Sequence, residues 1–283
     1  MNILITGING QVGSALVRKA KIQGHEVIAI AREQWDMAQW PEQGEALVLE
    51  VKPDLVINPA AYTDVDGAED NEATALKTNS DAPRALARAC NKLDIPLFHV
   101  STDYVFDGAK AEPYVETDQT NPIKAYGRSK LAGEVAIQEE TEQYIILRTS
   151  WVFSKDGKNF VNSILRLAKE RDELKVVNDQ CGGPTSAECI ADVLLQLANG
   201  HKNKWGIYHY SGQPFVSWFE FAKSIVEQGV EIGLINKAPS IVSCSSDDFL
   251  VKAKRPKNCK LEQEKIESTC PISTCSWYSY LSF

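Results

Sequence analysis

The chain has 283 residues, of which 43% are hydrophobic and 24% charged, a composition that excludes disorder as its main state. Its net charge of −8, from 30 Lys and Arg against 38 Asp and Glu, argues against a nucleic-acid partner, which would need a basic surface. No apolar run approaches the roughly 20 residues that cross a bilayer, so we expect no membrane partner and one large or two small domains.

The first half of the chain alternates short apolar runs with stretches of helical periodicity. The runs predict buried parallel strands at residues 2–6, 27–31, 55–58, 97–101 and 144–149. The periodic stretches predict helices at 12–23, 73–93 and 129–140, with Pro83 marking a break or a first turn in the second. This alternation predicts an α/β fold of the Rossmann type, a doubly wound parallel sheet with helices on both faces.

After Thr149 the alternation loosens. Further predicted elements are a helix at 159–171, a strand at 175–177, a helix at 187–198, a strand at 206–210 and a helix at 217–228. We predict a dinucleotide-binding domain over residues 1–150, with a later contribution from about 187–212. Residues 151–283 would form mainly a smaller, partly interleaved substrate-binding region.

Three glycines follow the first predicted strand. Gly7, Gly10 and Gly13 form a G-x-x-G-x-x-G pattern between a strand and a helix. Glycine permits a tight turn and a close approach of backbone to a pyrophosphate, which the helix N-terminus stabilises. The pattern predicts a dinucleotide site, and its wide spacing is similar to that of the short-chain dehydrogenase/reductase superfamily.

The end of the second strand indicates which dinucleotide binds. An acidic residue there accepts from a ribose hydroxyl, whereas Arg suits a 2′-phosphate. Arg32 occupies this place, which favours NADPH, although Glu33 beside it leaves NADH open as an accepted cofactor. After the third strand, the small Ala60 and Ala61 would let the cofactor lie against the backbone. Asn79 either ties its helix to that loop or is plain polar packing.

A tyrosine and a lysine stand four residues apart, and predict proton chemistry. Tyr126 and Lys130 would share one helix face. A phenol has a pKa of about 10, and a nearby ammonium would lower it. Thr102, after the fourth strand, would bind the substrate oxygen. We therefore predict catalysis by Thr102, Tyr126 and Lys130, in which the tyrosine protonates an oxygen while hydride reaches carbon.

Longer segments resemble the dTDP-4-dehydrorhamnose reductase family over residues 1 to about 261. They are residues 60–66 (AAYTDVD), 101–108 (STDYVFDG), 113–118 (PYVETD), 126–134 (YGRSKLAGE), 148–153 (RTSWVF), 159–160 (NF) and 179–185 (DQCGGPT). The resemblance implies an enzyme that reduces the 4-keto group of dTDP-4-dehydro-β-L-rhamnose to dTDP-L-rhamnose, a precursor of polysaccharides. Whether the sugar enters a capsule, an O-antigen or a spore coat stays open.

The resemblance also implies residue roles. Besides Thr102, Tyr126 and Lys130 as catalytic residues, it implies a cofactor site lined by Gly7, Gly10, Gln11, Val12, Gly13, Arg32, Asp36, Met37, Ala60, Ala61, Tyr62, Tyr126 and Lys130. It implies that the sugar contacts Thr63, Val65, Thr102, Asp103, Tyr104, Tyr126 and Trp151. Core packing is the alternative for Trp151.

The chain departs from the family in places that bear on metal and assembly. Some relatives hold magnesium at a dimer interface through several glutamates. Glu188 matches one such position, but Ala15 stands at another and the C-terminal match is lost. Because one carboxylate holds Mg²⁺ poorly, we predict no metal and either a monomer or a homodimer. Residues 262–283 are unlike the usual closing helix and are expected to be frayed or differently packed.

Cysteine usage and the early glycine loop both bear on the compartment. The seven cysteines are odd in number and lack a C-x-x-C pair, which argues against zinc and favours reduced thiols. Pairing of Cys270 with Cys275 is the alternative. Since the glycine loop begins too early for a signal peptide, we expect a cytoplasmic protein.

Other enzymes and a non-enzymatic role remain as alternatives. A sugar-nucleotide 4,6-dehydratase would need Asp and Glu after the threonine, and here Tyr104 follows Asp103. A 3,5-epimerase-reductase would need a further acid/base pair, for which no candidate is found. A reductase for another NDP-4-keto-6-deoxysugar, or an NADP-binding regulatory subunit like that of methionine adenosyltransferase, also stays open.

Overall fold

The computed structural model of the protein describes residues 1–200, 204–248 and 255–281. Its strands in chain order are β1 (Asn2–Thr6), β2 (Glu26–Ile30), β3 (Leu55–Asn58), β4 (Leu97–Thr102), β5 (Tyr144–Thr149), β6 (Val152–Phe153), β7 (Glu173–Val177), β8 (Cys181–Gly182), β9 (Thr185–Ser186), β10 (Gly206–His209), β11 (Val216–Ser217), β12 (Ser240–Cys244) and β13 (Asn258–Cys259). Its α-helices are α1 (Gln11–Ile22), α2 (Gln43–Val51), α3 (Val65–Asp70), α4 (Glu72–Leu76), α5 (Ala82–Leu93), α6 (Ala125–Glu140), α7 (Phe160–Glu170), α8 (Ala187–Gly200), α9 (Trp218–Glu231) and α10 (Glu264–Thr269).

A parallel sheet forms the centre of the protein. Its strands run in the order β10-β5-β4-β3-β1-β2, and every neighbouring pair is parallel. Because β1 lies between β2 and β3, the strand order reverses at β1: the chain first adds β2 on one side and then β3 on the other. The carboxyl ends of β1 and β3 border the crevice where such sheets bind ligands. The predicted α/β, Rossmann-like fold is confirmed.

Two layers of helices cover the sheet. Ile3 and Ile5 of β1 face the side covered by α1 and α8, whereas Leu4 between them faces the side covered by α2 and α5. All three side chains are fully buried, as expected for a parallel strand that is covered on both faces. The burial of both faces explains why β1 has consecutive apolar residues rather than an alternating pattern.

A smaller cluster forms around the later elements. Helices α7 and α9 pack on the β7–β12 pair and share a core that includes Val161, Phe221 and Ile225. Strand β10 and helix α8, from the region predicted to contribute late, instead join the main sheet beside β5 and α1. The proposed division at about residue 150 stays a prediction.

Several helical segments differ from the sequence-based prediction. The segment 73–93 is not one helix: α4 passes through a π-helical turn at Lys77–Asp81 into α5, with Pro83 in the first turn of α5. Helix α6 begins at Ala125, four residues earlier than predicted. Helices α2, α3 and α10 were not predicted, because the apolar residues of α2 are consecutive at 46–49 rather than at helical spacing, and the other two helices have six residues each.

The C-terminal segment packs against the main body. Ile266, Cys270 and Ile272 lie in the same buried cluster as α8. This packing brings Cys275 to Cys189 on α8, and the two form a disulfide across 86 positions. The expectation of reduced thiols throughout is therefore wrong for this pair, and Cys270, the alternative partner, is a free buried thiol. Of the two expectations for the tail, differently packed is correct for residues 262–281.

Neither a membrane span nor a metal cluster is found in the described part of the chain. No helix there is long and apolar enough to cross a bilayer. No group of three or more His, Cys, Asp and Glu side chains there could hold a metal ion. Glu188, the position that matches a family magnesium ligand, forms ion pairs with Arg18 and Lys19. The absence of bound magnesium stays a prediction.

Candidate active site

The glycine loop after β1 makes a close-packed turn beside β3. Gly7 has a φ of +59°, and a Cβ there would lie 2.8 Å from the Cα of Ala60. A Cβ on Gly13 would lie 2.1 Å from the carbonyl oxygen of Gly7. Side chains at these two positions would thus collide with the backbone of the loop or its neighbour. The turn lets α1 begin directly at the carboxyl edge of the sheet.

The N-terminus of α1 has no side-chain cap and no acidic residue in its first turn. Its first N–H groups, which have no partner within a helix, therefore face the crevice together with the positive end of the helix dipole. This combination suits a diphosphate. The glycine positions and the uncapped helix thus fit a dinucleotide, as the sequence predicted.

Gln11 connects the glycine loop to the later part of the chain. Its side-chain oxygen accepts hydrogen bonds from Ser154 Oγ at 2.8 Å and Asn159 Nδ2 at 2.9 Å. Val12, next along α1, is buried in the core on the α1 side of the sheet. Of these two predicted cofactor residues, Gln11 also holds the segment after β6 against the loop.

The predicted phosphate-recognition residue lies just beyond β2. The Arg32 side chain is 74% exposed, and its Nε is 3.2 Å from a carboxylate oxygen of Asp36. The other Asp36 oxygen accepts from the backbone N–H of Ala38 at 2.9 Å. The guanidinium is thus held at the carboxyl end of β2 with most of its surface free. Met37, also predicted at this site, packs its side chain into the core near Trp35.

The loop after β3 is held by Asn79. Its side-chain oxygen accepts from the N–H of Tyr62 at 2.8 Å, and its Nδ2 donates to the carbonyl of Tyr62 at 3.1 Å and to Ser129 Oγ at 2.9 Å. Of the two roles considered for Asn79, the tie to the loop is the one observed. Thr63 and Val65 follow, at the entry to α3.

The three predicted catalytic residues converge at the carboxyl end of β4. Thr102 is the last residue of β4, and Tyr126 and Lys130 lie one turn apart near the start of α6. Burial raises the pKa of Tyr126 to about 12, although a side-chain hydrogen-bond contact with Thr102 opposes the rise. The Tyr104 ring meets that of Tyr126 edge-on, with centroids 5.5 Å apart.

Lys130 is fully buried and turned towards β4. Its Nζ lies 3.0 Å from His99 Nε2 and donates to the carbonyl oxygen of Val100 at 2.8 Å. Burial lowers its pKa to about 8. The expectation that this ammonium lowers the pKa of Tyr126 is wrong for this structure, because the desolvation of the phenol dominates and the ammonium is engaged by β4.

The carboxyl group of Asp103 lies beside Thr102. Thr102 Oγ1 donates to a carboxyl oxygen of Asp103 at 3.0 Å. Burial raises the pKa of Asp103 to about 6, against opposing hydrogen bonds from Cys259 and Thr102. Burial also raises the pKa of Tyr104 well above its ordinary value. Tyr104, which stands where a dehydratase would have Glu, is therefore unsuited to act as a base.

Trp151 lies at the junction with the smaller cluster. Its backbone is left-handed, with a φ of +48°. Its ring stacks on Trp218 with centroids 3.5 Å apart, and the residue is 9% exposed. A Cβ on Gly182 would lie 2.8 Å from the same ring. The core packing that the sequence left as an alternative is present, and a contact with the sugar stays a prediction.

The buried polar residues that pack next to Thr102, Tyr126 and Lys130 were not identified from the sequence. The Arg148 guanidinium on β5 pairs with the Glu134 carboxylate on α6 at 2.7 Å, and Ser101 donates to the same carboxylate. His99 contacts Lys130 directly. Polar side chains inside otherwise apolar strands were the available signal, since such groups are buried only with partners.

Comparison with known proteins agrees with this geometry. The family model described as the RmlD substrate binding domain matches residues 1–282. A dTDP-4-dehydrorhamnose reductase of Burkholderia thailandensis is 42% identical over 98% of this chain and 95% of its own length.

Solved structures of the same enzyme superimpose over nearly the whole chain. One from Clostridium acetobutylicum has a TM-score of 0.92 and 36% identity, covering 100% of this chain and 97% of that one. One from Bacillus anthracis, in complex with NADP, has a TM-score of 0.91 and 34% identity, covering 99% and 96%. Because the family model and these relatives match nearly the whole chain, this protein belongs to the dTDP-4-dehydrorhamnose reductase family.

Proposed function

We propose that this protein reduces the 4-keto group of dTDP-4-dehydro-β-L-rhamnose to dTDP-L-rhamnose with NADPH. The convergence of Thr102, Tyr126 and Lys130 at the carboxyl end of β4, on the same edge of the sheet as the glycine loop, carries the proposal. The named activity of relatives that align over nearly the whole chain supports it. The reduced cofactor, when bound, supplies the hydride that the ketone carbon receives.

The cofactor would lie across the carboxyl ends of β1 and β3. Gly7, Gly10, Gly13 and the uncapped start of α1 would hold its diphosphate. Arg32 would bind the 2′-phosphate, since its guanidinium is exposed at the end of β2. Ala60 and Ala61 would allow close approach. These residues favour NADPH over NADH, and an assay with each cofactor in turn tests this preference.

Tyr126 is in the protonation state that a reduction requires. Its pKa of about 12 keeps the phenol protonated at neutral pH, so it can donate a proton. As hydride reaches the carbon of the ketone, the phenol transfers its proton to the oxygen, which becomes the product hydroxyl. Thr102 would donate a hydrogen bond to the same oxygen in place of its bond to Asp103. Lys130, which His99 and Val100 hold against β4, would help to bind the cofactor.

The substrate sugar would occupy the side towards the smaller cluster. Thr63, Val65, Asp103, Tyr104 and Trp151 would border it, on the loops that follow β3, β4 and β5. We further propose a cytoplasmic protein that acts as a monomer or homodimer.

The test supplies purified protein with enzymatically made dTDP-4-dehydrorhamnose and follows the loss of NADPH. We expect NADPH consumption and formation of dTDP-L-rhamnose. NADPH binding without consumption, in the presence of the epimerase that makes the substrate, would refute the reductase and favour a regulatory subunit. Consumption only with another 4-keto-6-deoxysugar nucleotide would reassign the substrate.

A further inference from the structure

A row of four buried polar side chains runs beneath the site. Thr6 Oγ1 lies 2.5 Å from Asn58 Oδ1, Asn58 Nδ2 lies 3.0 Å from His99 Nδ1, and His99 Nε2 lies 3.0 Å from Lys130 Nζ. Thr6, Asn58 and His99 are 0% exposed and Lys130 is 1% exposed. Because water does not reach the row, each donor in it must face an acceptor.

The protonation of His99 restricts how this row can be arranged. Burial, together with the charge of Lys130, lowers the pKa of His99 well below its ordinary value, so the imidazole is neutral. A neutral imidazole has one nitrogen that donates and one that accepts. In the observed orientation of the Asn58 amide, its Nδ2 donates to His99 Nδ1, so the imidazole proton of His99 is on Nε2. Only an uncharged Lys130 amine has a lone pair to receive it.

A charged Lys130 requires the opposite order. An ammonium has no lone pair, so it donates to His99 Nε2 and the imidazole proton moves to Nδ1. Nδ1 then donates to the side-chain oxygen of Asn58, which must turn its amide by half a rotation. The Asn58 amide nitrogen then donates to Thr6 Oγ1. The heavy atoms keep nearly the same places, because amide oxygen and nitrogen are similar in size.

We propose that His99 is a positioning residue for Lys130, and that Thr6, Asn58 and His99 reverse their hydrogen-bond direction when Lys130 gains or loses its proton. The catalytic meaning of this reversal rests on the proposed function, but the reversal itself does not. Since Thr6 directly precedes the glycine loop, the row links the charge of Lys130 to β1.

The charged groups around Lys130 place the reversal near neutral pH. Glu134 on its own helix favours the charged form and is itself paired with Arg148 on β5. Tyr126 on the same helix stays protonated, since its pKa is about 12. Asp103, beyond the end of β4, has a pKa of about 6. With burial opposing Glu134, the pKa of Lys130 is about 8, so both orders are populated close to that pH.

The direct test is nitrogen NMR of the full chain with ¹⁵N-labelled histidine, followed across pH 8 without cofactor or substrate. The nitrogen shifts report which ring atom carries the proton. We expect the His99 proton on Nδ1 below the midpoint and on Nε2 above it, with the midpoint near pH 8. A single tautomer throughout, or a doubly protonated ring, would overturn the proposal. Turnover is not measured, so failure of the proposed function would leave this result intact.

The spectrum contains its own control. His209 is also buried, and its Nδ1 lies 3.0 Å from the carbonyl oxygen of Tyr114, which can only accept. Its pKa is lowered to about 3 by burial, so the ring is neutral. His209 should therefore keep its proton on Nδ1 at every pH at which His99 changes. A parallel change in both rings would indicate unfolding rather than the reversal.

Two variants separate positioning from a merely structural role. In Asn58→Asp the carboxylate can only accept, so His99 is held with its proton on Nδ1 and Lys130 keeps its charge to higher pH. We expect the NMR midpoint, and the basic limb of the kcat/KM profile, to rise together by more than one pH unit. In Lys130→Met the His99 tautomer should no longer depend on pH. Lower activity at every pH with an unmoved midpoint would contradict the proposal.

Discussion

The Arg148 guanidinium and the Glu134 carboxylate meet at 2.7 Å with side chains that are 3% and 0% exposed. Ser101, one residue before Thr102, donates its hydroxyl to the same carboxylate. This ion pair joins α6 to both β4 and β5. It therefore sets where Tyr126 and Lys130 stand relative to the end of β4.

Removing this carboxylate should destabilise the fold strongly. In Glu134→Gln the buried Arg148 charge loses its partner, which typically costs about 3–5 kcal/mol. We expect a loss of that size in the free energy of unfolding, measured with urea. Glu139→Gln is the matched control on the same helix, because Glu139 is 55% exposed in its ion pair with Arg84. The control should lose less than about 1 kcal/mol, and equal losses would contradict the assignment.

Tyr126→Phe should abolish most turnover while leaving the fold and cofactor binding intact. The ring and its edge contact with Tyr104 remain, but the proton donor is lost, and such donors contribute about 10²–10⁴-fold. Turnover should therefore fall while NADPH binding, measured by fluorescence, stays unchanged. Full activity in this variant would exclude the phenol as the acid. Tyr144→Phe, on the outer end of β5, serves as a control and should retain activity.

Asp103 should make stability fall as pH rises. Its folded pKa of about 6 lies above the unfolded value of 3.8, so the folded state binds the proton more tightly. This contribution is complete below pH 3.8 and lost as the pH passes 6, a change of about 3 kcal/mol for a group buried this deeply. The free energy of unfolding should therefore depend differently on pH in wild type and in Asp103→Asn between pH 3.8 and about 6.

Asp107 provides a control, because its effect on the pH dependence of the unfolding free energy should have the opposite sign. Hydrogen bonds from Ala109 and Asn121 lower the pKa of Asp107, so its contribution grows as the pH rises. Asp107→Asn should thus change the slope in the other direction from Asp103→Asn. Slopes that match wild type in both variants would show that neither carboxyl titrates differently in the folded state.

Arg32→Ala should weaken the preference for NADPH over NADH. A charged hydrogen bond contributes about 1.5–3 kcal/mol, so we expect KM for NADPH to rise at least about tenfold and KM for NADH to change little. Arg18→Ala removes an arginine that is 55% exposed on α1 and should affect neither. If the ratio of the two KM values is unchanged in Arg32→Ala, the 2′-phosphate is bound elsewhere.

Local patterns in the sequence predicted the sheet well. The apolar runs at residues 2–6, 55–58 and 144–149 have the bounds of β1, β3 and β5, because strands buried on both faces carry consecutive apolar residues. Helix limits were less predictable. Tyr126 lies in the first turn of α6, where the stretch from Ala125 to Arg128 shows little apolar periodicity.

The disulfide and the course of the tail were not predictable in the same way. Cys189 and Cys275 are 86 positions apart, and nothing in their spacing indicates that they meet. They meet because Ile266 and Ile272 bury themselves against α8. Pairing of this kind depends on which apolar surfaces come together, a property of the whole fold.

The amino-acid sequence by itself determined the α/β architecture, the glycine loop and the identity of Thr102, Tyr126 and Lys130 as neighbours at one edge of the sheet. Only the tertiary structure decided the electrostatic state of those groups. Burial raises the pKa of Tyr126 to about 12 and lowers that of Lys130 to about 8, and His99 holds the lysine against β4. A residue's type sets its ordinary pKa, but desolvation and partners distant in sequence set the value it has in the folded protein.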